Sequence, residues 1–340
     1  MKVIKTEDAV GMVLGHDITK IVPGEFKGAA FKKGHVIKDY DIQELLNIGK
    51  EHIYIMEISP EEMHEDEAAI TLGNNAVGRG VRLTAPSEGK VNLLAEEEGL
   101  LKINKELLFD LNDLGEISFA TIHGNRFIKK DGLIAGCRVI PLVINKDKIE
   151  RAAELLKVLP PMIEVKPFHS LKTGIIVTGS EVYKGRIKDR FGPVIEQKLQ
   201  QYPGEVIAKT IVTDETEEIQ KAITALKSQG AELIIVTGGM SVDPDDKTPG
   251  GIKATGADIV TYGTPVLPGA MLMLAYLEGT PIFGLPGCVM FSHTTAFDIL
   301  LPRIFAKETI KRRDIVALGY GGQCLKCEVC TFPDCHFGKC

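Results

Sequence analysis

A segment rich in glycine and aspartate combines the residue types that bind phosphate. It follows the apolar run LIIVT and consists of Gly238, Gly239, Met240, Ser241, Val242, Asp243, Pro244, Asp245, Asp246, Lys247, Thr248 and Pro249. Paired glycines expose backbone N–H groups, the serine adds a hydroxyl, and the Thr-Pro pair suits the start of a helix, so the segment predicts an anion cradle. Its three aspartates would repel one another beside a phosphate unless a divalent cation lay between them, which favours Mg²⁺. A solvated acidic turn is the simpler alternative, but it leaves the glycines unexplained.

The C-terminal end of the chain is a second place where residue types and spacing suggest chemistry. It holds five of the seven cysteines, namely Cys324, Cys327, Cys330, Cys335 and Cys340. The spacing of the first four is close to that of the ligands of bacterial ferredoxin clusters. Four thiolates can hold [4Fe–4S] or Zn²⁺, and we favour iron–sulfur over zinc and over an unliganded tail, since clustered free thiols oxidise. The last cysteine would be a spare ligand, and the tail would bind its metal as an independent, core-less peptide.

Two more loops place acidic residues close to the ends of apolar runs. In the first, Gly179 lets a ligand approach the backbone, Ser180 follows it, Glu181 supplies a carboxylate, and Asp189 precedes a helical stretch. An ordinary surface turn explains the same residues equally well. In the second, Asp214 precedes a helical pattern, where a helix N-cap is the structural alternative to a ligand contact.

Two Pro-Gly turns complete the set of loops. They are formed by Pro268 and Gly269, and by Pro286, Gly287 and the following Cys288. Rigid turns of this kind fit the wall of a flat pocket, although each could be an ordinary loop. For an isolated cysteine such as Cys288, the alternative is a small core residue.

Between these loops the sequence alternates strand and helix patterns. Almost continuously apolar runs predict strands buried on both faces at Thr173–Thr178, Glu205–Val212, Leu233–Thr237 and Pro281–Leu285. Helical patterns separate them at Pro193–Gln201, Glu215–Gln229 and Pro249–Thr255. The pattern predicts an α/β fold with a doubly wound, mostly parallel sheet, in which ligands bind beyond the carboxyl ends of the strands.

The first half of the chain has a different pattern. Short strand-like runs broken by glycine, with a helix at Asp39–Gly49 and another near Lys146–Val158, predict a smaller α+β or β-rich domain over residues 1–165. A proline-rich linker would end it, so that the α/β domain covers residues 171–316 and the cysteine tail residues 317–340. We expect His64 to lie on a solvated helix face.

Composition narrows the class of protein. The chain has 340 residues, 44% of them apolar, and a net charge of −6. This balance suits globular domains and lacks the basic excess of nucleic-acid-binding proteins. The N-terminus has no apolar signal core and no apolar run is long enough to cross a membrane, so we expect a cytoplasmic protein without a membrane partner.

The order of the loop motifs resembles a known family. TGSE, Asp189, IVTDE, TGGMSVDPDDKTP, LPG and GLPG together resemble the molybdopterin-binding domain of molybdopterin adenylyltransferases and molybdopterin molybdenumtransferases, over about Lys172–Ala306. The resemblance implies that the glycine and Pro-Gly loops hold the pterin and its phosphate. It further implies that Asp214 and Asp246 act catalytically, with Mg²⁺ at Asp246.

This chain departs from the family pattern at two places. Cys288-Val289 stands where the family commonly has Asn or Gln followed by Pro. The chain also lacks the Ser-x-x-Asp-Gly-Tyr type of motif of the molybdenumtransferases, for which Gly28-Ala29-Ala30-Phe31 is a poor substitute. In the first domain only the segment from Phe31 to Ile55 loosely resembles a molybdenumtransferase segment. The binding domain is therefore better supported than the insertion activity.

The resemblance leaves three functions open. We favour a Mg²⁺-dependent, molybdenumtransferase-like enzyme of molybdenum cofactor biosynthesis that binds molybdopterin or its adenylylated form. A non-catalytic carrier or sensor of the finished cofactor, which uses an iron–sulfur or zinc tail to dock with a molybdenum enzyme, is the second hypothesis. Molybdopterin adenylyltransferase activity is the third. We expect a homo-oligomer.

Overall fold

The computed structural model describes residues 1–22 and 24–339. Cys340, the predicted spare metal ligand, lies outside the described residues. The chain divides into two compact units. Unit 1 comprises residues 1–96, 103–122 and 130–164, and unit 2 comprises residues 97–102, 123–129 and 165–340.

Elements in the first half of the chain are short. The strands are β1 (Lys2–Lys5), β2 (Ile18–Val22), β3 (Phe26–Phe31), β4 (His52–Ile55), β5 (Glu62–His64), β6 (Val81–Leu83), β7 (Lys90–Ala95), β8 (Gly99–Ile103), β9 (Ile117–Thr121), β10 (Arg126–Ile128), β11 (Leu133–Val139), β12 (Val143–Asn145) and β13 (Ile163–Pro167). The helices are α1 (Asp41–Asn47), α2 (Glu65–Ala76), α3 (Lys105–Asp113) and α4 (Lys146–Leu156), with a 3₁₀ turn at Thr6–Asp8.

Unit 1 is built from small antiparallel sheets. Its four-stranded sheet has the order β6-β7-β11-β9, and β1-β4, β2-β3 and β12-β5 form pairs. Helix α2 begins after His64, which is buried at 4% exposure and is therefore not the solvated residue that we expected. Its Nδ1 accepts a hydrogen bond from the backbone N–H of Asp66, so that His64 is the N-cap of α2.

The second half of the chain forms larger elements. The strands are β14 (Leu171–Thr178), β15 (Gly204–Val212), β16 (Leu233–Thr237), β17 (Asp258–Tyr262), β18 (Met273–Leu277) and β19 (Thr280–Leu285). The helices are α5 (Ser180–Tyr183), α6 (Phe191–Leu199), α7 (Thr216–Ser228), α8 (Thr248–Ala254), α9 (Ala296–Phe305) and α10 (Arg312–Ala317), with a 3₁₀ turn at Gly287–Met290.

These strands form one six-stranded sheet with helices on both faces. The strand order is β15-β14-β16-β19-β18-β17, in which β15, β14, β16 and β19 are parallel and β17 and β18 are antiparallel to their neighbours. One face packs against α6 and α9, and the other against α7 and α8. The predicted doubly wound, mostly parallel sheet is confirmed. One detail was wrong: β15 is an edge strand, and most of its residues are exposed or half-buried.

Unit 2 also contains a short sheet from earlier parts of the chain. Its order is β10-β8-β13, so residues 97–102 and 123–129 join the unit through strand pairing. A stack of aromatic rings connects this short sheet to helix α9. Phe127 stacks on Phe168, which meets Tyr202 edge to face, and Tyr202 stacks on Phe305 at 4.4 Å between centroids.

The cysteine segment packs against the core of unit 2. Phe337 is only 1% exposed and belongs to the cluster formed by α6, α9 and one face of the sheet. Leu267 donates its N–H to the Gly322 carbonyl and accepts the N–H of Cys324, both at 2.8 Å. The expectation of a core-less tail is therefore wrong, because a buried aromatic ring and backbone pairing hold this segment on the domain.

None of the helices in residues 1–22 and 24–339 has both the length and the hydrophobicity of a membrane-spanning helix.

Candidate functional site

Strand register brings the predicted loops to one edge of the sheet. Thr178 at the end of β14 pairs with Val212 at the end of β15, and Thr237 at the end of β16 pairs with Leu285 at the end of β19. Because these four strands are parallel, the loops that follow them start at the same edge. This edge is where an α/β sheet of this type binds ligands.

A hydrogen bond joins the first two loops. The backbone N–H of Ser180 donates to Asp214 Oδ2 at 2.7 Å. Asp214 is not the N-cap that local sequence suggested: helix α7 begins at Thr216, its N-cap is Glu215, and that residue makes no side-chain capping bond. The Asp214 carboxylate is therefore turned toward the loop after β14, where the family resemblance places a ligand contact.

The paired glycines are required by the packing of the glycine loop itself. Gly238 and Gly239 have φ values of +91° and +54°, which L side chains rarely adopt. A Cβ at Gly238 would lie 2.6 Å from the carbonyl oxygen of Thr178, and one at Gly239 would lie 2.9 Å from Thr248 Oγ1. Thr248 donates its hydroxyl to the Gly238 carbonyl, and its Oγ1 lies 3.3 Å from that of Thr178. The loops after β14 and β16 thus interlock.

The acidic part of the glycine loop forms a compact turn. Asp246 Oδ2 accepts the N–H of Asp243 at 3.2 Å, and the N–H of Asp246 donates to the Asp243 carbonyl. Asp243 and Asp245 are exposed and Asp246 is half-buried. The turn therefore presents carboxylate oxygens to solvent at the edge of the sheet.

Three residues that sequence reasoning did not single out hold this loop in place. Lys247 Nζ makes an ion pair with Glu215 at 3.0 Å, which links the glycine loop to the loop after β15. The Tyr262 hydroxyl lies 3.1 Å from the Met240 carbonyl and 3.2 Å from that of Ser241. Burial, followed by the charge of Asp246, raises the pKa of Tyr262, so the phenol stays protonated and able to donate. No sequence motif signals Tyr262, because it reaches the loop from β17.

Other predicted binding residues have defined local roles. Asp189 Oδ1 accepts the N–H groups of Phe191 and Gly192, so this carboxylate closes the first turn of α6. Glu181 is exposed, and its side chain folds back toward Gly179. A Cβ added at Gly179 would lie 2.9 Å from Glu181 Oε1. Met240 is only 2% exposed, and its side chain packs in the core on the face of the sheet covered by α7 and α8.

The Pro268-Gly269 turn packs against the start of α9. Gly269 has φ +120°, and a Cβ there would lie 2.7 Å from the Cβ and the backbone N of Ala296. Pro268 accepts the Ala296 N–H at 3.1 Å. Cys288 lies in the 3₁₀ turn after Pro286, half-buried, and burial raises the pKa of its thiol. The thiol therefore stays protonated at neutral pH.

A polar cavity of about 440 Å³ lies beside the loop after β19. Lys198 and Asp298 line it and form a largely buried ion pair at 2.6 Å, and Lys198 also donates to the His293 carbonyl. The residues around this cavity include 289–294 and none of the glycine loop. The loop after β19 therefore contributes both to the strand-end edge and to this cavity.

The cysteine segment surrounds a second cavity. Its volume is about 350 Å³, and all four predicted metal ligands line it: Cys324, Cys327, Cys330 and Cys335. Pro268 and residues 291–294 form the opposite wall. Across residues 1–22 and 24–339, no three histidine, cysteine or acidic side chains converge closely enough to hold a single ion.

Comparison with known proteins gives two family matches. Residues 174–306 match the model of the probable molybdopterin binding domain. Residues 3–57 match a domain of unknown function (DUF8806).

The chain is also similar to individual curated proteins and to solved structures. The chain is 29% identical over 169 residues to the molybdopterin molybdenumtransferase of Haemophilus influenzae. This alignment covers 46% of this chain and 41% of the relative. It is 39% identical over 79 residues to a CinA-like protein of a Mycobacterium species, covering 23% of this chain and 19% of that protein. A tungsten cofactor synthesizing protein MoaB from Pyrococcus furiosus aligns over 41% of this chain and 98% of its own, with 23% identity and a TM-score of 0.34.

The chain thus spans about two fifths or less of the length of these two curated relatives. The match in residues 174–306 contains the loops after β14, β15, β16 and β19 that the geometry brings to one edge. Residues 174–306 of this chain belong to the molybdopterin-binding domain family.

Proposed function

We propose that this chain binds molybdopterin, or its adenylylated form, at the loops after β14, β15, β16 and β19, and acts in molybdenum cofactor biosynthesis as a molybdenumtransferase-like enzyme. The observation that carries the proposal is the interlocking of three of these loops, through Ser180 with Asp214, Thr178 with Thr248, and Lys247 with Glu215. A site fixed by its own contacts holds ligand groups without having to reorganise.

The glycine loop would receive the phosphate. Its glycines have positive φ, a conformation found in anion-binding loops, and Ser241 is exposed next to them. Ser180 and Glu181 would contact the ligand from the loop after β14. Pro268, Gly269, Pro286, Gly287 and Cys288 would form the pterin wall.

The acidic turn fits Mg²⁺ in its usual setting. Mg²⁺ is commonly held by one or two carboxylates together with substrate phosphates, and not by an all-protein cage. Asp246, with exposed Asp243 and Asp245 beside it, offers such oxygen donors. When bound, the metal would neutralise charge on the phosphates.

Asp214 and Asp246 would divide the work. Asp214, fixed by the Ser180 N–H, would orient the ligand between the first two loops. Asp246 would hold Mg²⁺, which would neutralise the charge of the phosphate end. Catalysis would then rest on positioning and charge neutralisation during cleavage of the phosphoanhydride or transfer of molybdate.

Two other functions have specific support. A carrier or sensor role is favoured by Cys288 in the fourth loop, where the family commonly has Asn or Gln, and by the missing molybdenumtransferase motif. Such a protein would use the cysteine segment to contact a molybdenum enzyme.

Adenylyltransferase activity is supported by the α/β domain, the part shared with the simpler relatives. For each role we propose a homo-oligomer in the cytoplasm.

Replacement of Asp246 by Asn tests the enzyme hypothesis. Asp246→Asn should abolish Mg²⁺-dependent turnover of adenylylated molybdopterin, because it removes charge from the phosphate end and nothing from the core. Asp258→Asn is the matched control. Asp258 is exposed at the start of β17 and pairs with Tyr276, so its carboxylate lies at the end of the sheet away from the glycine loop. Equal turnover by both variants would contradict the assignment. Retained binding of intact molybdenum cofactor without turnover by the wild type would favour the carrier.

A further inference from the structure

The cavity at the C-terminal end is lined by four cysteines. Cys324, Cys327, Cys330 and Cys335 contribute to one space of about 350 Å³. A zinc ion in a tetrahedral thiolate site lies about 2.3 Å from each sulfur, so four ligands of one ion enclose almost no space. All four cysteines line the cavity, and among the described residues no three metal-ligating side chains lie close enough to hold a single ion. The space suits a group larger than one ion.

The local backbone is arranged to stabilise thiolates. Lys326 has φ +53°, and its backbone N–H donates to Cys324 Sγ at 3.4 Å. The Thr294 hydroxyl lies 3.5 Å from Cys330 Sγ. Hydrogen bonds to sulfur are a means by which proteins tune iron–sulfur clusters. Lys326, which also lines the cavity, adds positive charge where bound thiolates would be negative.

The rest of the lining of the cysteine cavity comes from residues of unit 2. Phe337 and Pro268 line the cavity, and Phe337 is buried in the core. Residues 291–294, which lead from the loop after β19 into α9, complete the wall. Residues 291–294 and Cys330 also line the polar cavity beside Lys198. The cysteine cavity is therefore part of the domain.

We propose that Cys324, Cys327, Cys330 and Cys335 hold a [4Fe–4S] cluster against residues 291–294, in the α/β domain and beside the loop after β19. The three cysteines spaced by two residues follow the ferredoxin pattern, and the fourth reaches the same cavity from the other side of the Phe332-Pro333 turn. The cavity, at about 350 Å³, is larger than the space that four sulfurs about 2.3 Å from one zinc ion would enclose. The proposal concerns binding alone and does not depend on the pterin function.

Anaerobic reconstitution of the full chain with ferrous iron and sulfide tests this. We expect about four iron and four sulfide ions per chain, with the visible absorption of thiolate-to-iron charge transfer. Cys327→Ala and Cys330→Ala should each lose most of the iron. Both residues are exposed, so these variants should fold, which circular dichroism will check.

Cys288→Ala is the matched control. It removes a half-buried thiol from the loop that leads to the cavity wall without removing a cavity-lining residue. Its iron and sulfide content should equal that of the wild type. A colourless protein with one zinc, a protein that takes up no iron, or equal iron loss in Cys288→Ala and Cys327→Ala would each overturn the proposal.

Discussion

The glycine loop and the cysteine segment, both marked for chemistry by the sequence, are held in place by different means. The glycine loop is fixed by polar contacts between neighbouring loops, such as Thr178 with Thr248 and Lys247 with Glu215. The cysteine segment is fixed by one buried ring, Phe337, and by backbone pairing with Leu267, while its thiols face a cavity. In the first region the candidate ligand groups are part of the scaffold. In the second the buried anchor is Phe337, which is not a candidate ligand, although Cys324 takes part in the backbone pairing with Leu267.

This difference predicts opposite responses to mutation. A change within the glycine loop should disturb structure and binding together, because the same atoms serve both. In the cysteine segment, loss of a thiol should remove metal and spare the fold, whereas loss of the core anchor should affect both. The following three variants test the contrast, in order of expected effect.

Phe337→Ala should have the largest effect. Truncating a fully buried aromatic side chain typically costs about 3–5 kcal/mol of unfolding free energy. Urea denaturation should show this loss for unit 2, whereas Leu325→Ala, which truncates a side chain that is 68% exposed, should change stability by less than about 0.5 kcal/mol. If the two variants were equally stable, the segment would not be anchored by Phe337, and the contrast would fail.

Gly239→Val should come next. A branched residue at φ +54° costs about 1–3 kcal/mol in backbone strain, and its Cβ would press on Thr248 Oγ1. We expect at least a tenfold loss of pterin affinity in calorimetry, about 1.4 kcal/mol. Gly250→Ala is the control, since its Cβ would meet Thr216 at an ordinary 3.4 Å. Unchanged affinity in a folded Gly239→Val protein would place the phosphate site elsewhere.

Asp334→Asn should have the smallest effect. The hydrogen bond from Arg126 holds the pKa of the Asp334 carboxyl below its ordinary value of 3.8. The pair therefore stabilises the docked segment above that value, and the stabilisation is lost as the pH falls through the lowered pKa. Because Asp334 is exposed, the contribution should be about 1 kcal/mol or less.

Alkylation of Cys335, which is half-buried, reports this docking. The rate at neutral pH should rise slightly in Asp334→Asn. It should not rise in Asp131→Asn, which breaks a comparable exposed pair with Arg82 in unit 1. A large increase would mean that the ion pair, and not Phe337, anchors the segment.

The sequence predicted the parallel strands and their loops because buried strands are continuous apolar runs. It missed β17, which carries mixed polarity such as Thr261 and Tyr262, and it also missed β18, although Met273–Leu277 is an apolar run. It also misjudged β15, since its β-branched pattern does not distinguish an edge strand from a central one.

Prediction of the site followed the same division. Residue types within one loop pointed to the glycines as candidate ligand residues, whereas Asp214 became a candidate only through the family resemblance. Tyr262 could not be found, because it approaches from another strand. Phe337 looked like a tail residue, since burial depends on distant contacts with α9 and the sheet.

The most direct test of the central claim is the ligand that the protein carries. Wild type and Gly239→Val should be purified anaerobically from cells that synthesise molybdopterin, and the bound pterin measured by mass spectrometry. We predict a pterin near one per chain in the wild type and little in the variant. Absence of pterin from the wild type, even after incubation with adenylylated molybdopterin, or equal amounts in both proteins, would contradict the account.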